Sequence, residues 1–251
     1  MLPRSINVGP LTIHLYGLII ALAIIAGWYL AQKRAHYYKI PQKIFDDPIL
    51  LIPLSLSIVG ARIYHVIDYW DSYSQNLMST IYIGNGGLGI WGALAGLVIG
   101  LIVVAKVKKL NLLSGLDLVA PSLLLGQAIG RIGNYINQEG FGPPTNLPWG
   151  VYISPNRRPL QYVNQSHFHP TFFYEAALDF IFCIILILIA KKLKVRGQIS
   201  ALYLILYSLG RFTVEFWRID TAVIGQIKVA QALSVLAFML GLSLLVKLKR
   251  S

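Results

Sequence analysis

Seven stretches of nearly unbroken apolar residues run along the 251-residue chain, at about 13–31, 48–66, 88–105, 116–135, 172–190, 199–217 and 227–246. Each approaches the roughly 20 apolar residues that an α-helix needs to cross a bilayer. The pattern predicts an all-α integral membrane protein of about seven transmembrane helices, forming a single polytopic membrane domain over residues 1–251. The connections are short except for the segment at about 137–171, where Pro143, Pro144, Pro148, Pro155, Pro159 and Pro170 alternate with scattered polar residues. That composition predicts an ordered extracytoplasmic loop or small cap rather than another span. No tandem repeat of recognisable period is present. The first apolar stretch lacks the basic start and small-residue cleavage site of a secretory signal, so it is read as a span.

Composition agrees with this picture: 56% of residues are hydrophobic and only 13% charged, about half the charged fraction of a soluble domain. A net charge of +12 in a soluble protein points to nucleic acid, but here the basic residues form short runs between apolar stretches. They therefore speak of topology in a lipid bilayer, with no nucleic-acid partner. Lys33, Arg34, Lys39, Lys43, Lys106, Lys108, Lys109, Lys191, Lys192, Lys194, Arg196, Lys247, Lys249 and Arg250 fall on one side of the predicted spans, and Arg4, Arg157 and Arg158 on the other. Fourteen against three places the N-terminus outside and the C-terminus in the cytoplasm by the positive-inside rule. Cys183 is the only cysteine, which excludes an intrachain disulfide and a cysteine-based metal site. No ligand cluster suggests a metal or an organic cofactor.

Charge inside the spans is where chemistry is expected. Arg62, Arg131, Arg211 and Arg218 lie within or at the edge of spans two, four and six, each in the outer half of its helix in this topology. An arginine at the centre of a membrane helix costs about 2.5–3.5 kcal/mol even on the lenient insertion scale. Snorkelling to the headgroups explains a single one; four on the same side point to a partner, a cavity or a function. In the sixth span Tyr207, Arg211, Glu215 and Arg218 are spaced by four, four and three, so they line one helix face. Glu215 pairs with either arginine in this reading. The stripe is then a structural charge ladder, or a site with one positive charge left over for an anionic ligand. A guanidinium holds phosphate through two parallel hydrogen bonds, which lysine cannot copy.

The fourth span ends in Gly130-Arg131-Ile132-Gly133-Asn134-Tyr135-Ile136-Asn137-Gln138-Glu139-Gly140-Phe141-Gly142. If the helix continues, Gln127, Arg131, Asn134 and Gln138 share a face. Asn134 and Asn137 can donate to an ester or phosphate oxygen, and Glu139 can orient an arginine. The third span opens with Asn85-Gly86-Gly87-Leu88-Gly89-Ile90-Trp91-Gly92. Its N-terminal N–H groups suit an anion, whereas the four-residue repeat of Gly92, Gly96 and Gly100 suits close helix packing. Packing is the reading for those three, and Gly86 and Gly87 stay open.

The run at 130–142 resembles the signature of the prolipoprotein diacylglyceryl transferases, and the resemblance extends through most of the chain. Tyr16-Gly17-Leu18, Gly60-Ala61-Arg62, His169-Pro170-Thr171 with Tyr174-Glu175, and Tyr207…Arg211 with Glu215-Phe216…Arg218 are similar to further family motifs in the family's order. The resemblance implies transfer of the sn-1,2-diacylglyceryl group of phosphatidylglycerol to the lipobox cysteine thiol of a preprolipoprotein signal peptide, the first step of bacterial lipoprotein maturation. A thioether forms and glycerol-1-phosphate leaves. It implies a multi-pass protein of the bacterial cytoplasmic (inner) membrane whose active site faces the outer leaflet, without a cofactor. By resemblance Arg131 and Arg211, with Glu139 and Tyr207, form the catalytic set. Tyr16, Arg62, Asn134, Asn137, Gly142, Glu215 and Arg218 join Arg131 as substrate-binding residues.

One position departs from the family pattern: Trp91 stands where many members carry a histidine. Indole cannot carry a proton, so the thiol's base lies elsewhere, or nearby positive charge lowers the thiol's pKa. His14, His65 and His169 are the histidines that can approach the outer half, and each fits a structural or interfacial role better than a catalytic one. A lipid or anion transporter is the competing class, but its internally symmetric halves with broken helices are not visible in the sequence.

Overall fold

A computed structural model describes residues 5–9, 11–82 and 86–250. Arg4, counted above among the outward basic residues, and Asn85, at the head of the third span, lie outside the described residues. A short antiparallel hairpin, β1 (Ser5–Val8) and β2 (Leu11–His14), leads into α1 (Leu15–Arg34). Then follow α2 (Leu51–Asp68), α3 (Ile90–Val107) and α4 (Leu112–Asn137). A two-residue ladder of β3 (Val151–Tyr152) with β4 (His167–Phe168) precedes α5 (Thr171–Ala190) and α6 (Gln198–Glu215). Another, β5 (Val223–Ile224) with β6 (Ile227–Lys228), leads into α7 (Val229–Arg250).

The protein is thus mostly helical, and among the described residues six helical segments are long and apolar enough to cross a membrane. The segment expected at 199–217 is a helix too, but Gln198, Arg211 and Glu215 interrupt the apolar surface of α6 and keep it out of that set. The apolar stretches at 13 and 227 begin with strands, since β2 and β6 occupy their first residues. A run of apolar residues cannot by itself distinguish a strand from the start of a helix.

The chain forms two compact units, one of residues 1–33 with 117–251 and the other of residues 34–116. In the second unit α2 lies directly against α3. A Cβ on Gly92 would stand 2.0 Å from the Gly60 carbonyl oxygen, and one on Gly96 2.0 Å from that of Leu56. One on Gly100 would stand 2.3 Å from Pro53 Cα. The glycine repeat therefore serves backbone-to-backbone packing, as expected. Ser57 Oγ adds a hydrogen bond to the Ala93 carbonyl at 2.9 Å.

In the first unit, Ala120, Leu124, Cys183, Leu186 and Ile199 form a buried apolar core shared by α4, α5 and α6. The buried Asp117 carboxylate receives the backbone N–H groups of Gly197 (2.6 Å) and Ser200 (2.8 Å) and the Ser200 hydroxyl (2.7 Å). It caps the N-terminus of α6, where backbone donors have no helical partner, and so fixes one end of the helix that carries Arg211. Beside that same end, a Cβ on Gly241 of α7 would meet the Ala201 carbonyl at 2.8 Å, so these two helices also touch through backbone. The proline-rich stretch is ordered around a small second core of Phe141, Ile153, Phe168 and Phe172. That core holds the end of α4 against the start of α5.

Candidate active site

Glu175, on the first turn and a half of α5, is 2% exposed and organises the first unit's charged centre. One of its oxygens takes the Arg131 guanidinium from α4, and the other takes Arg211 Nη1 from α6 at 2.9 Å. Arg211 Nη2 lies 2.8 Å from Glu215 Oε2, a close ion pair whose N–H is not aligned as a hydrogen bond. Glu215 is fully buried, and its other oxygen accepts from the Thr221 hydroxyl. Removing one partner of such a buried pair strands a charge in an apolar medium, so these four side chains stand or fall together. Arg131 Nε is buried and carries no hydrogen bond. It is a donor left over in a water-poor place.

One turn further along α5 lies Asp179, 2% exposed, with Oδ2 lacking any hydrogen-bond partner. It interacts electrostatically with Glu175, Arg131 and Arg211. Tyr207 belongs to the same neighbourhood; its ring stacks on Tyr203 at 5.8 Å with 6° between planes. The Tyr203 hydroxyl accepts from Gln127 Nε2 at 3.4 Å. Tyr16 lies against Gly133, where a Cβ would stand 2.5 Å from its ring, and it feels both Glu139 and Arg131.

A second polar group gathers past the end of α4. The helix stops at Asn137, and Gln138 turns out of it at φ 56°, its side chain accepting from the Ser154 N–H at 2.9 Å. Gln138 therefore leaves the face expected for Gln127, Arg131 and Asn134. Glu139 accepts from Asn134 Nδ2 (3.4 Å) and Asn137 Nδ2 (3.2 Å), and so orients two amides in place of the arginine expected. Gly142 donates its N–H to the His169 carbonyl at 2.8 Å, and a Cβ there would press on the Trp217 carbonyl at 2.7 Å. Only a glycine fits that contact.

Arg218 corrects the expected helical stripe. α6 ends at Glu215, and single turn bonds carry the chain on, with the Arg218 N–H reaching the Glu215 carbonyl at 3.2 Å. Arg218 pairs with Asp220, not with Glu215. The surplus positive charge expected on this stripe is thus cancelled: Arg211 is shared by two carboxylates and Arg218 has its own.

Arg62 corrects the other expectation. It is 9% exposed in the second unit and donates to five backbone carbonyls, those of Ser79 (2.5 Å), Thr80 (2.7 Å), Tyr82 (2.8 Å), Gly86 (3.1 Å) and Gly87 (2.9 Å). A guanidinium has five N–H groups, and this one uses all of them to hold the segment before α3. Gly86 and Gly87, at φ 89° and 81°, offer that arginine carbonyls rather than offering an anion their N–H groups. The Gly89 N–H is also taken, by the Ala61 carbonyl at 2.9 Å. His65 rests on Tyr69 with ring centroids 4.5 Å apart, and His169 Nδ1 lies 3.1 Å from the Tyr174 hydroxyl. Both fit structural roles. Among the described residues no three His, Cys, Asp or Glu side chains gather as metal ligands.

A family model described as prolipoprotein diacylglyceryl transferase matches residues 3–247. The chain belongs to the prolipoprotein diacylglyceryl transferase family. It is 42% identical to the phosphatidylglycerol–prolipoprotein diacylglyceryl transferase of Acaryochloris marina over 99% of this chain and 92% of that protein. It is 42% identical to that of Finegoldia magna over 94% and 91%, and 40% identical to that of a Nostoc species over 96% and 87%. In this member of the transferase family, the sequence gives Asp179 no place and Glu175 a place in a motif but no role, yet both lie in the charged centre. Two acids at i, i+4 inside an otherwise apolar span were the available signal. Asp220 gave none, because an acid after a helix end looks like solvated loop.

Proposed function

We propose that this chain transfers the diacylglyceryl group of phosphatidylglycerol to the lipobox cysteine thiol of a prolipoprotein, forming a thioether and releasing glycerol-1-phosphate. Family membership supports the reaction, and one arrangement supports the site: two buried arginines from different helices tied to one buried glutamate. In the reaction the thiolate attacks the glycerol carbon and the bond from that carbon to the phosphate oxygen breaks. The leaving phosphate gains negative charge, and the thiol's proton balances it. Arg131, with its Nε unpartnered, and Arg211 are set to meet that charge where water is scarce and preorganised donors act most strongly. Glu175 and Glu215 hold both guanidiniums in place before substrate arrives. Tyr207 and Tyr16 flank them. Asn134, Asn137, Glu139 and Arg218 suit the glycerol headgroup, Gly142 shapes their backbone, and Arg62 keeps a supporting role in the fold.

In this reading the whole chain acts as one polytopic domain of the bacterial cytoplasmic membrane, with α6 as a seventh span. The N-terminus and the 137–171 cap lie outside, and the site faces the outer leaflet. The fourteen-to-three basic bias supports it. A reporter fused after Arg250 should be active only in the cytoplasm, and one near Pro155 only outside; the opposite pattern would overturn the orientation.

The decisive assay mixes purified protein, phosphatidylglycerol vesicles and a lipobox peptide, and reads the peptide's mass. The expected product is the diacylglyceryl thioether, absent when the peptide's cysteine is serine. Movement of phosphatidylglycerol across the vesicles without any thioether would establish a transporter instead.

A further inference from the structure

We propose that Asp220 is a positioning residue of this site, which holds the Arg218 guanidinium against the signature turn so that it faces the anionic lipid headgroup. The proposal rests on the reading above. Asp220 Oδ1 accepts from both Nε (3.3 Å) and Nη2 (3.2 Å) of Arg218, and Oδ2 accepts the Gly140 N–H at 2.5 Å. One carboxylate therefore clips a loop arginine to the backbone of the 138–142 turn.

That turn is itself fixed. Gly140 sits at φ 71°, and its carbonyl accepts the buried Thr171 hydroxyl at 2.5 Å. A Cβ on Gly140 would lie 3.4 Å from Arg218 Nη2 and 3.6 Å from Asn134 Nδ2, so a guanidinium and an amide flank the same glycine. Lys228 Nζ donates to the carbonyls of Glu215 (2.6 Å) and Arg218 (2.7 Å), which secures the strand of chain bearing Arg218.

Arg218 needs this clip because the helix does not supply it. It lies three residues beyond the end of α6, and a long side chain on a loop otherwise samples many rotamers. Asp220 engages the Nε–Nη2 edge, and among the described residues Nη1 donates no hydrogen bond. A planar fork anchored along one edge presents its remaining donors in a fixed direction, the geometry suited to a phosphate or glycerol oxygen. Asp220 acts through Arg218 and is not itself expected to touch the lipid.

The test is a two-residue cycle read as KM for phosphatidylglycerol and kcat with a lipobox peptide. Asp220→Asn keeps an oxygen for the Gly140 N–H but loses the charge that holds the guanidinium. It should raise KM on the order of tenfold, the effect of one charge-assisted hydrogen bond, with kcat within about twofold and an unchanged unfolding temperature. In an Arg218→Ala background, adding Asp220→Asn should change KM no further. A wild-type KM in Asp220→Asn, an equal rise in both backgrounds, or a drop in unfolding temperature that accounts for the loss would each overturn the role. If the wild-type protein itself makes no thioether, the functional reading fails first and this role goes with it.

Discussion

Arg62 and Arg131 look alike in sequence, since each follows a glycine motif in an apolar span, yet the two units that carry them differ completely in what these arginines hold. Arg62 gives all five donors to backbone carbonyls of its own unit. Arg131, with Arg211, is held by the buried carboxylate of Glu175 and keeps an unpartnered Nε. The first is saturated, which suits a role in the fold. The second is neutralised but not saturated, which allows burial without exhausting its donors. In the proposed reading, what separates a structural from a functional arginine in this membrane protein is the kind of acceptor it meets.

That contrast can be broken most forcefully at Arg62. Arg62→Ala leaves five carbonyls without their donor, at roughly 1–3 kcal/mol for each that stays unsatisfied. Little folded protein should survive detergent extraction, as judged by gel filtration, while whatever is folded keeps its rate per molecule. Glu175→Ala comes next. It strands two buried guanidiniums, should cost about 3–5 kcal/mol in unfolding free energy, and should abolish transfer. Glu175→Gln should recover part of the stability and little of the rate.

Smaller effects sharpen the same contrast. Trp91 is half exposed at the start of α3, and Trp91→Phe should stay within about threefold of the wild-type rate, since a ring without an ionisable proton serves shape. A gain in Trp91→His would argue that a base can be restored there. Cys183 is buried in the apolar core, so Cys183→Ser should change the rate least of all; a large loss would mean that this chain, not its substrate, supplies a needed thiol.

Most helices were legible because a 20-residue apolar run has few other uses. The expected span at 172–190 differs from α5 by a single residue. The glycine repeat on α3 was also legible, since small residues every four positions allow little besides close packing. The site was readable only in part. Arg131 and Arg211 stand out in the sequence through their cost in a membrane, but their shared partner Glu175 does not, because pairing across helices depends on how α4, α5 and α6 pack. The sequence puts Arg218 on a helix face, since nothing in Glu215-Phe216-Trp217-Arg218 marks where α6 stops. For Arg62 a sequence shows a buried charge and not the five carbonyls that surround it.

The central claim is that Arg131 and Arg211 act on substrate while Arg62 acts on the fold. The most direct measurement is the transfer rate per folded molecule for Arg→Lys at each of the three positions. A lysine keeps the charge but not the planar fork. Arg131→Lys and Arg211→Lys should remain folded and lose on the order of 10²–10³ in rate, the loss typical of a transition-state donor. Arg62→Lys should lower the yield of folded protein and leave the rate of the folded fraction near wild type. Full activity in either of the first two, or a folded and inactive Arg62→Lys, would contradict the account.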